Sequence, residues 1–334
     1  MHLESLHQSS NYNSQTMTES LPSKNGHKKN TLFTFIDLFA GIGGFHAAAH
    51  ALKGQCVFAS EIDSHASYAY QQNYGIKPHG DITKIDAESI PYHDILFAGF
   101  PCQPFSNIGK QKGFDDIRGT LFFDIARILE AKKPRMFILE NVKQLMTHNG
   151  GKTIAKILDT LNMLGYKTYH KTLNALNYGL PQKRERTIIV GFLNHHVVFN
   201  WPEARDYVPL KEILMPDNLV DKKYFASERI AEKRHLKHQS QHEISIWHEN
   251  KSGNISSHPF SCALRAGASY NYLLVNGIRR LTPREMLRLQ GFPEHFKIAC
   301  NDGQTRKQAG NAVPVNIIQA VLKEVLDAQT EVTR

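Results

Sequence analysis

The sequence predicts an α/β protein with a doubly wound sheet, followed by a smaller β-rich region. Between residues 32 and 191, short apolar runs typical of buried strands alternate with longer stretches typical of helices. This alternation predicts a parallel sheet covered by helices on both faces. Residues 201–277 differ, because they are polar and basic and then rich in small, hydroxyl and aromatic side chains. Together these observations indicate a large α/β unit and a second, smaller unit.

The elements of the α/β unit follow one another from Leu32. A strand from Leu32 to Phe39 leads through a glycine-rich turn into an alanine-rich helix that Gly54 ends. The next strand, "QCVFAS", is followed by Glu61 and by a helix that starts near Ser64. The later elements are the strand "DILFAGF", the helix "LFFDIARILEAKKP" and the strands "RMFILE" and "TIIVGF".

Composition limits the class of protein. The 334 residues include 40 Lys and Arg against 31 Asp and Glu, and the formal charge of +9 suits a polyanionic partner. The four cysteines form no C-x-x-C pair, which disfavours a metal site and a disulfide framework and favours the reducing cytoplasm. No stretch is long and apolar enough to span a membrane, so we expect a cytoplasmic protein without metal or membrane contact.

The residues at the carboxyl ends of the strands are the candidate ligand site, because sheets of this type bind ligands there. The glycine turn from Phe39 to Gly44 follows the first strand, and Glu61 follows the second. Cys102 follows "DILFAGF", and Glu140 ends "RMFILE". The sequence therefore predicts one cleft that these residues share, together with Asp81 from "GDITKI".

The glycine turn "AGIGGF" has two interpretations, because it does not match G-x-G-x-x-G. It is either a tight strand–helix turn that needs positive φ or part of a cofactor site. Glu61 favours a cofactor, since an acid at the end of the second strand binds ribose hydroxyls in nucleoside-cofactor folds. No phosphate-binding lysine follows the glycines, which disfavours a P-loop. The remaining candidates for the cofactor are a dinucleotide and S-adenosylmethionine. Asp81 is either an acceptor for the adenine amino group or a helix N-cap.

The segment "GFPCQPFS" contains one cysteine, Cys102, between two prolines. Proline fixes φ and lacks an amide donor, so the cysteine is predicted to lie in a stiff, non-helical turn. A free cysteine is usually a small buried hydrophobic residue. The alternative is a nucleophile, whose surroundings must favour the thiolate.

Seven segments in the same order resemble the cytosine-C5 DNA methyltransferases: "FIDLFAGIGGF", "GDIT", "GFPCQPFS", "ENV", "QKRERTIIVGF", "RRLTPRE" and "QAGNAVP". From Phe33 to Arg186 the chain is similar to the short bacterial HhaI-type modification enzymes. No family signature occurs between Asn194 and Asn276, where this family has its variable target-recognition region. The resemblance implies the Rossmann-like fold of S-adenosylmethionine-dependent methyltransferases, a doubly wound mixed sheet with a smaller β-rich target-recognition domain.

The predicted organisation has four parts. They are a disordered leader (1–30), a catalytic and cofactor-binding domain (31–200), a target-recognition domain (201–302) and a C-terminal segment that returns to the catalytic domain (303–334).

The resemblance implies transfer of a methyl group from S-adenosylmethionine to carbon 5 of a flipped-out cytosine in double-stranded DNA. A Cys102 thiolate that adds to carbon 6 makes carbon 5 nucleophilic. Glu140 would contact ring N3, a role that needs a pKa raised by burial. Arg184 and Arg186 share one face of an extended segment, where one could fix the base carbonyl and the other orient Glu140. Their alternative role is a solvated basic strand start.

The residues expected at the cofactor come from the strand ends and the C-terminal segment. They are Phe39, Gly41, Gly43, Gly44, Glu61, Ile62, Asp81, Ile82, Pro101, Leu121, Asn311 and Ala312. Asn311 and Ala312 are placed by resemblance at the methionine end. Ile62 departs from the HhaI type, which usually has an aromatic residue there that stacks on adenine, and aliphatic packing can replace this stacking.

The residues expected to contact DNA are Ser106, Lys110, Arg118, Gln182 and Arg265. The first three belong to a glycine-containing segment that is either a mobile loop closing over DNA or an ordinary surface loop. Gln182 is a candidate for backbone or DNA contact, and Arg265 for reading base edges. Arg279, Arg280 and Arg284 flank "LTP" and are expected to help hold the DNA, although a structural role for Arg284 fits its position equally well.

The predicted protein is a monomeric modification enzyme of a restriction–modification system, with a restriction endonuclease for the same site as a candidate partner. The close alternative is a tRNA cytosine-C5 methyltransferase, which shares the cysteine chemistry but has a shorter, more uniform middle region. A catalytically silent DNA-binding module is the other alternative. The combination of Cys102, Glu140 and Arg184 counts against it, because binding alone needs no nucleophile.

Overall fold

The structure is a computed structural model that describes residues 31–101, 121–250, 252–269 and 271–332. The described residues belong to one compact unit that begins at Thr31. Among the helices of the described ranges, none has the length and apolar character needed to cross a membrane.

The described strands fall into a large sheet, a small sheet and one short pair. In chain order they are β1 (Phe33–Leu38), β2 (Gly54–Ser60), β3 (Ile95–Gly99), β4 (Met136–Val142), β5 (Lys167–Asn174), β6 (Gln182–Lys183), β7 (Glu185–Phe192), β8 (Ile246–Glu249), β9 (Ile255–His258), β10 (Ser261–Cys262), β11 (Leu273–Val275) and β12 (Arg279–Arg280). The described helices are α1 (Gly44–Ala51), α2 (Ser64–Tyr74), α3 (Leu121–Lys132), α4 (Lys152–Met163), α5 (Leu210–Ile213), α6 (Glu228–Lys237), α7 (Pro283–Leu289), α8 (Asp302–Asn311) and α9 (Val315–Val332).

The large sheet has the strand order β2-β1-β3-β4-β7-β5. The first four strands in this order pair in parallel, as the sequence predicts, whereas β7 is antiparallel to both of its neighbours. The short connection from β5 to β7 contains no crossover helix, so the two strands must run in opposite directions. The sheet is therefore mixed, and the fold class expected from the resemblance is confirmed.

Apolar side chains cover both faces of the large sheet. Along β1, Phe35 belongs to one apolar cluster and Ile36 to the other, because alternate residues of a strand point to opposite faces. The first cluster includes residues of α1, α2 and α9, and the second includes residues of α3 and α4. This packing leaves polar groups to collect at the strand ends.

The C-terminal segment differs from its sequence-based prediction in one respect. The sequence predicts that Gly310 and Asn311 form a turn before an amphipathic helix. In the structure these residues instead end α8, and α9 begins at Val315. The break between the helices contains Pro314, which has no amide to donate within a helix.

The small sheet has the order β12-β11-β8-β9 and is antiparallel, and a separate apolar cluster packs against it. The helix α7 begins with a capping box between Thr282 and Glu285. Arg279 lies beside it and is buried, with its Nη2 2.9 Å from Glu285 Oε1 and its Nε 2.6 Å from Asp217 Oδ1. The expectation that Arg279 helps to hold DNA is therefore wrong in this structure, because its guanidinium is used inside the protein.

Candidate active site

A cleft with a volume of about 450 Å³ opens at the carboxyl ends of the parallel strands. Its walls come from the glycine turn, the ends of β2, β3 and β4, and the C-terminal part of α8. The lining residues are Phe39, Gly41, Ile42, Ser60, Glu61, Ile62, Asp63, Ala66, Gly80, Asp81, Ile82, Gly99, Phe100, Pro101, Leu121, Glu140, Val142, Arg184, Arg186, Lys307, Gln308, Gly310 and Asn311. Cys102 lies outside the described residues.

The glycines of the turn have different roles. Gly43 adopts φ +85°, and a Cβ there would lie 2.2 Å from a ring carbon of Tyr74. A Cβ on Gly44 would lie 2.6 Å from Val313, so these two positions need glycine for the tight turn and its packing. Neither residue lines the cleft, whereas Gly41, with φ +56° and no atom near its Cβ position, does.

Glu61 joins the glycine turn to the end of β2. Its Oε2 accepts a hydrogen bond from the Gly41 amide at 2.7 Å, and its Oε1 accepts one from the Asp63 amide at 2.7 Å. Burial raises the pKa of this carboxyl, although both amides oppose the shift. A half-buried acceptor thus faces the cleft beside Ile62, whose side chain is 74% exposed.

Asp81 is an N-cap that also lines the cleft. Its Oδ1 accepts hydrogen bonds from the Thr83 amide and hydroxyl, and these contacts lower the pKa of Asp81. The N-cap interpretation from the sequence is therefore correct, and it does not exclude a ligand contact. Ile82, the next residue, is buried at the cleft wall.

The remaining candidates for cofactor contact come from separate parts of the chain. Pro101, Leu121 and Asn311 all line the cleft. Ala312 is buried and does not line it, and its carbonyl instead accepts a hydrogen bond from Arg184.

Glu140 and Arg186 form an ion pair inside the cleft, with Arg186 Nε 2.7 Å from Glu140 Oε1. Glu140 is only 8% exposed, and burial raises its pKa, while Arg186 and Arg184 lower it to a smaller extent. Next to it, the Asn141 side chain donates to the Phe100 carbonyl and accepts from the Val142 amide. These bonds attach the end of β4 to the segment that leads into Pro101.

Arg184 has a different environment from Arg186. Its side chain is 1% exposed, and it donates to the carbonyls of Leu264, Gly310 and Ala312 at 2.8–3.0 Å. Burial lowers its pKa to about 9. The two arginines therefore do not form a solvated basic strand start, and Arg186 is the one paired with Glu140.

The candidates for DNA contact divide into three groups. Ser106, Lys110 and Arg118 lie outside the described residues. Gln182 is fully buried, donates to the Leu289 carbonyl and accepts from the Leu264 amide, so in this structure it makes backbone contacts and presents no group to DNA. Arg265 is exposed, with its guanidinium carbon 4.9 Å from the centre of the Tyr272 ring.

Two charged groups were missed by the sequence reasoning, one that lines the cleft and one that is buried in β1 outside the cleft lining. Lys307 lines the cleft and its Nζ lies 2.6 Å from Asp63 Oδ2, which connects α8 to the start of α2. Asp37 in β1 is fully buried, and burial together with Glu61 raises its pKa. Asp37 could have been noticed in the sequence, because it is a charged residue within an otherwise apolar strand. No local pattern distinguishes Lys307 from other surface lysines.

Within the described ranges, no group of three or more histidine, cysteine or acidic side chains could hold a metal ion. The cleft contains one buried acid, Glu140, which is held by Arg186.

The chain matches the family described as C-5 cytosine-specific DNA methylase over residues 33–327. The chain belongs to this family. The methyltransferase is 54% identical to the Type II methyltransferase M.NgoBI of Neisseria gonorrhoeae, over 87% of this chain and 92% of that protein. It is 53% identical to M.HaeII of Haemophilus aegyptius, with 90% and 94% covered, and 39% identical to M.HhaI of Haemophilus parahaemolyticus, with 88% and 94% covered.

Solved structures with low sequence identity share the fold. DNMT2 of Spodoptera frugiperda matches with a TM-score of 0.69 at 20% identity, over 88% of this chain and 99% of that one. The S. pombe Dnmt2 methyltransferase matches with a TM-score of 0.66 at 20% identity, with 89% and 99% covered. The α/β methyltransferase fold is thus confirmed.

The family match and the relatives at up to 54% identity confirm the predicted enzyme class, a DNA cytosine-C5 methyltransferase, and favour it over the tRNA enzyme. The family and fold imply a methyl donor of the S-adenosylmethionine type.

Proposed function

We propose that this methyltransferase modifies carbon 5 of a flipped-out cytosine within a short sequence of double-stranded DNA, through a covalent bond between Cys102 and carbon 6. The observation that carries the proposal is the buried Glu140–Arg186 pair, which shares one cleft with the Glu61 carboxylate. One end of the cleft suits a nucleoside, and the other suits acid catalysis on a polar ring.

The residues at the Glu61 end fit S-adenosylmethionine. Glu61 offers carboxylate oxygens to ribose hydroxyls, and the aliphatic side chains of Ile62 and Ile82 offer apolar contact to a flat base. The volume of about 450 Å³ lies in the usual range for small-molecule sites, roughly 300–1,000 Å³. When bound, this cofactor supplies an electrophilic methyl group on a sulfonium.

Cys102 acts as the nucleophile in this proposal. Its thiolate forms a bond to carbon 6, and the ring electrons shift so that carbon 5 becomes nucleophilic and N3 gains electron density. Pro101, which precedes Cys102 in the sequence, lines the cleft, and this supports delivery of the thiol there.

Glu140 donates a proton to N3 as that electron density develops. A carboxyl can do this only if it keeps its proton near neutral pH, and burial shifts the pKa of Glu140 in that direction. The Arg186 guanidinium fixes Oε1, and this leaves the second oxygen to face the ring. Arg186 is thus a positioning residue for Glu140.

Release of the enzyme needs two further bond changes after methyl transfer. Solvent water accepts the proton from carbon 5, and the electron pair of that C–H bond re-forms the double bond between carbons 5 and 6 as the carbon–sulfur bond breaks. The Cys102 thiolate is regenerated, and N3 returns its proton to Glu140. The ring recovers its double bond, so that the step balances without an oxidant or reductant.

Recognition of the DNA sequence is proposed for residues 201–302, with Arg265 as a contact to base edges. The net charge of +9 supports a polyanionic substrate. We further propose that the protein is a cytoplasmic monomer that acts as the modification enzyme of a restriction–modification system, with an endonuclease for the same site as its partner. The names of the relatives as Type II methyltransferases support this role.

The proposal is tested with duplex DNA that carries 5-fluorocytosine at the target. Fluorine cannot leave carbon 5 as a cation, so the covalent adduct should persist as a denaturation-resistant one-to-one complex when S-adenosylmethionine is present. Cys102→Ser should abolish the complex, since a hydroxyl is a far weaker nucleophile. The matched control Cys262→Ser should leave it intact. A complex that survives Cys102→Ser, or whose cross-linked peptide contains another cysteine, contradicts the mechanism.

A further inference from the structure

Arg184 connects two segments that the proposed reaction uses for different purposes. Its Nη1 donates to the Leu264 carbonyl at 2.8 Å, directly before the exposed Arg265. Its Nη2 donates to the carbonyls of Gly310 and Ala312 at 3.0 and 2.9 Å. These two residues flank Asn311, which lines the cleft at the cofactor end. The Arg184 guanidinium therefore holds both the segment around Leu264, which belongs to the proposed recognition region, and residues 310–312 at the cofactor end of the cleft.

Gly310 brings the same two segments into direct contact. A Cβ at this position would lie 2.3 Å from the Ala266 amide nitrogen and 2.6 Å from the Arg265 carbonyl carbon. Only glycine allows the backbone of α8 to approach this closely. Gln182 reinforces the arrangement, because its Oε1 accepts from the Leu264 amide at 2.9 Å.

The burial of Arg184 makes these contacts mutually dependent. The guanidinium is 1% exposed, and its Nε has no hydrogen-bond partner among the described residues. A buried cation that loses one of its carbonyl acceptors cannot replace it with water at low cost. If residues 310–312 move, keeping the hydrogen bonds of Arg184 requires residues 264–266 to move with them. Breaking those hydrogen bonds instead would cost more free energy.

We propose that Arg184 and Gly310 couple cofactor binding to DNA recognition. A cofactor bound at Asn311 holds residues 310–312 in one position. Through its hydrogen bonds to both segments, the Arg184 guanidinium then holds the Leu264–Ala266 segment in the position that binds the target sequence. By thermodynamic linkage, the target DNA must strengthen cofactor binding by the same factor. This inference rests on the proposed function and assigns Arg184 a positioning role, distinct from that of Arg186.

The coupling is measured as the ratio of the Kd for a target duplex without and with saturating S-adenosylhomocysteine. We expect about tenfold tighter DNA binding with the cofactor product for the unchanged protein, within the usual range of roughly 5–150-fold. Arg184→Lys keeps the positive charge but cannot donate to the Leu264 carbonyl and to the carbonyls of residues 310 and 312 at the same time. It should reduce the ratio to about twofold or less. The matched control Arg186→Lys should slow methylation and keep the tenfold ratio. A ratio in Arg184→Lys equal to that of the unchanged protein overturns the proposal.

Hydrogen exchange on the unchanged protein provides a test that does not depend on a variant folding. S-adenosylhomocysteine alone, without DNA, should slow amide exchange in residues 262–268 by about tenfold or more, and leave β11 of the same region unchanged. Unaltered exchange in residues 262–268, despite saturation with the ligand, overturns the coupling while the methyltransferase function stands. Failure of the unchanged protein to bind S-adenosylhomocysteine contradicts the proposed function instead.

Discussion

The large-sheet region (residues 33–192 and 302–332) and the small-sheet region (residues 205–289) are stabilised by different interactions. In the large-sheet region, strands of five to eight residues carry apolar side chains on both faces, except β5 at the sheet edge, which is mostly polar. In the small-sheet region, strands of two to four residues surround one apolar cluster and the buried Arg279–Glu285 ion pair. Apolar burial is non-directional, whereas a buried ion pair needs both partners in place.

This difference separates the two proposed tasks of the enzyme. The groups proposed for chemistry lie at the ends of long buried strands, where packing holds the Glu140–Arg186 pair within a narrow range of positions. The residues proposed for recognition lie on short strands and loops, whose positions depend on a few polar contacts, including those of Arg184. The catalytic groups can thus be held rigidly while the loops proposed to recognise DNA stay adaptable within the same chain.

The largest effect is expected from breaking the chemical end of the large-sheet region. Glu140→Gln cannot deliver and take back a proton at N3, so kcat for methylation should fall by about 10²–10⁴-fold. The Kd for S-adenosylmethionine should change little, because Glu140 is not proposed to bind the nucleoside. Single-turnover methylation and a binding titration provide the two measurements.

Glu61→Gln is the matched control for that experiment, since it changes a carboxylate at the other end of the same cleft. It should weaken cofactor binding and leave the single-turnover rate at saturating cofactor within a few-fold. Equal effects of the two variants on rate and on cofactor binding would contradict the assignment of separate roles.

The ion pair of the small-sheet region is tested by Arg279→Met. This substitution leaves the Glu285 carboxylate, whose side chain is 0% exposed, without its cationic partner, and should lower the free energy of unfolding by about 3–5 kcal/mol. Lys323→Met removes the exposed Lys323–Asp327 pair on α9 and should cost about 0.5 kcal/mol or less. Urea unfolding measures both, and similar losses would remove the contrast between the two regions.

A glycine from each region sharpens the comparison of packing. Gly43→Ala combines φ +85° with a Cβ placed 2.2 Å from Tyr74, and should lower the free energy of unfolding by about 3 kcal/mol. Gly267→Ala in the small-sheet region meets no atom within 4 Å and should change that free energy by about 0.5 kcal/mol or less. Thermal or urea unfolding of the two variants checks this, and a tolerated Gly43→Ala would show that the turn can rearrange.

The smallest effect concerns pH and the interior of the large-sheet region. Burial lowers the pKa of His46 from 6.5 to about 3, so the unfolded chain binds the proton more tightly than the folded protein does. The stability that neutral His46 contributes is present above pH 6.5 and is lost progressively as pH falls toward 3. Between pH 7 and pH 5 the unchanged protein should lose about 2 kcal/mol more than His46→Gln. Parallel stability curves for the two proteins would show that His46 does not cause this acid sensitivity.

Much of the fold could be predicted from the sequence, because its patterns are local. Continuous apolar runs placed β1 to β4 within about two residues of their observed bounds. The candidate site followed from the same patterns, since strand-end residues such as Glu61, Asp81 and Glu140 must meet at one edge of a parallel sheet. No local pattern predicts that β7 is antiparallel to its neighbours. The mixed sheet was expected only from the resemblance to the family.

The partners of each polar side chain depended on the tertiary structure. Two arginines separated by one residue look equivalent in "QKRER", yet Arg186 pairs with Glu140 and Arg184 binds three carbonyls from distant segments. Gln182 and Arg279 resembled surface residues for the same reason, and both are buried. A polar side chain can be satisfied by solvent, DNA or protein, and sequence patterns do not distinguish these environments.

The sequence by itself determined the type and order of the main elements, the family and the enzyme class, because these depend on residue type and short spacing. Only the tertiary structure decided that residues 264–266 and 310–312 meet at one guanidinium, and that Lys307 lies beside Asp63. Contacts across some 40 to 240 residues depend on how whole elements pack, and the free energy of that packing is spread over many side chains rather than encoded in any one segment.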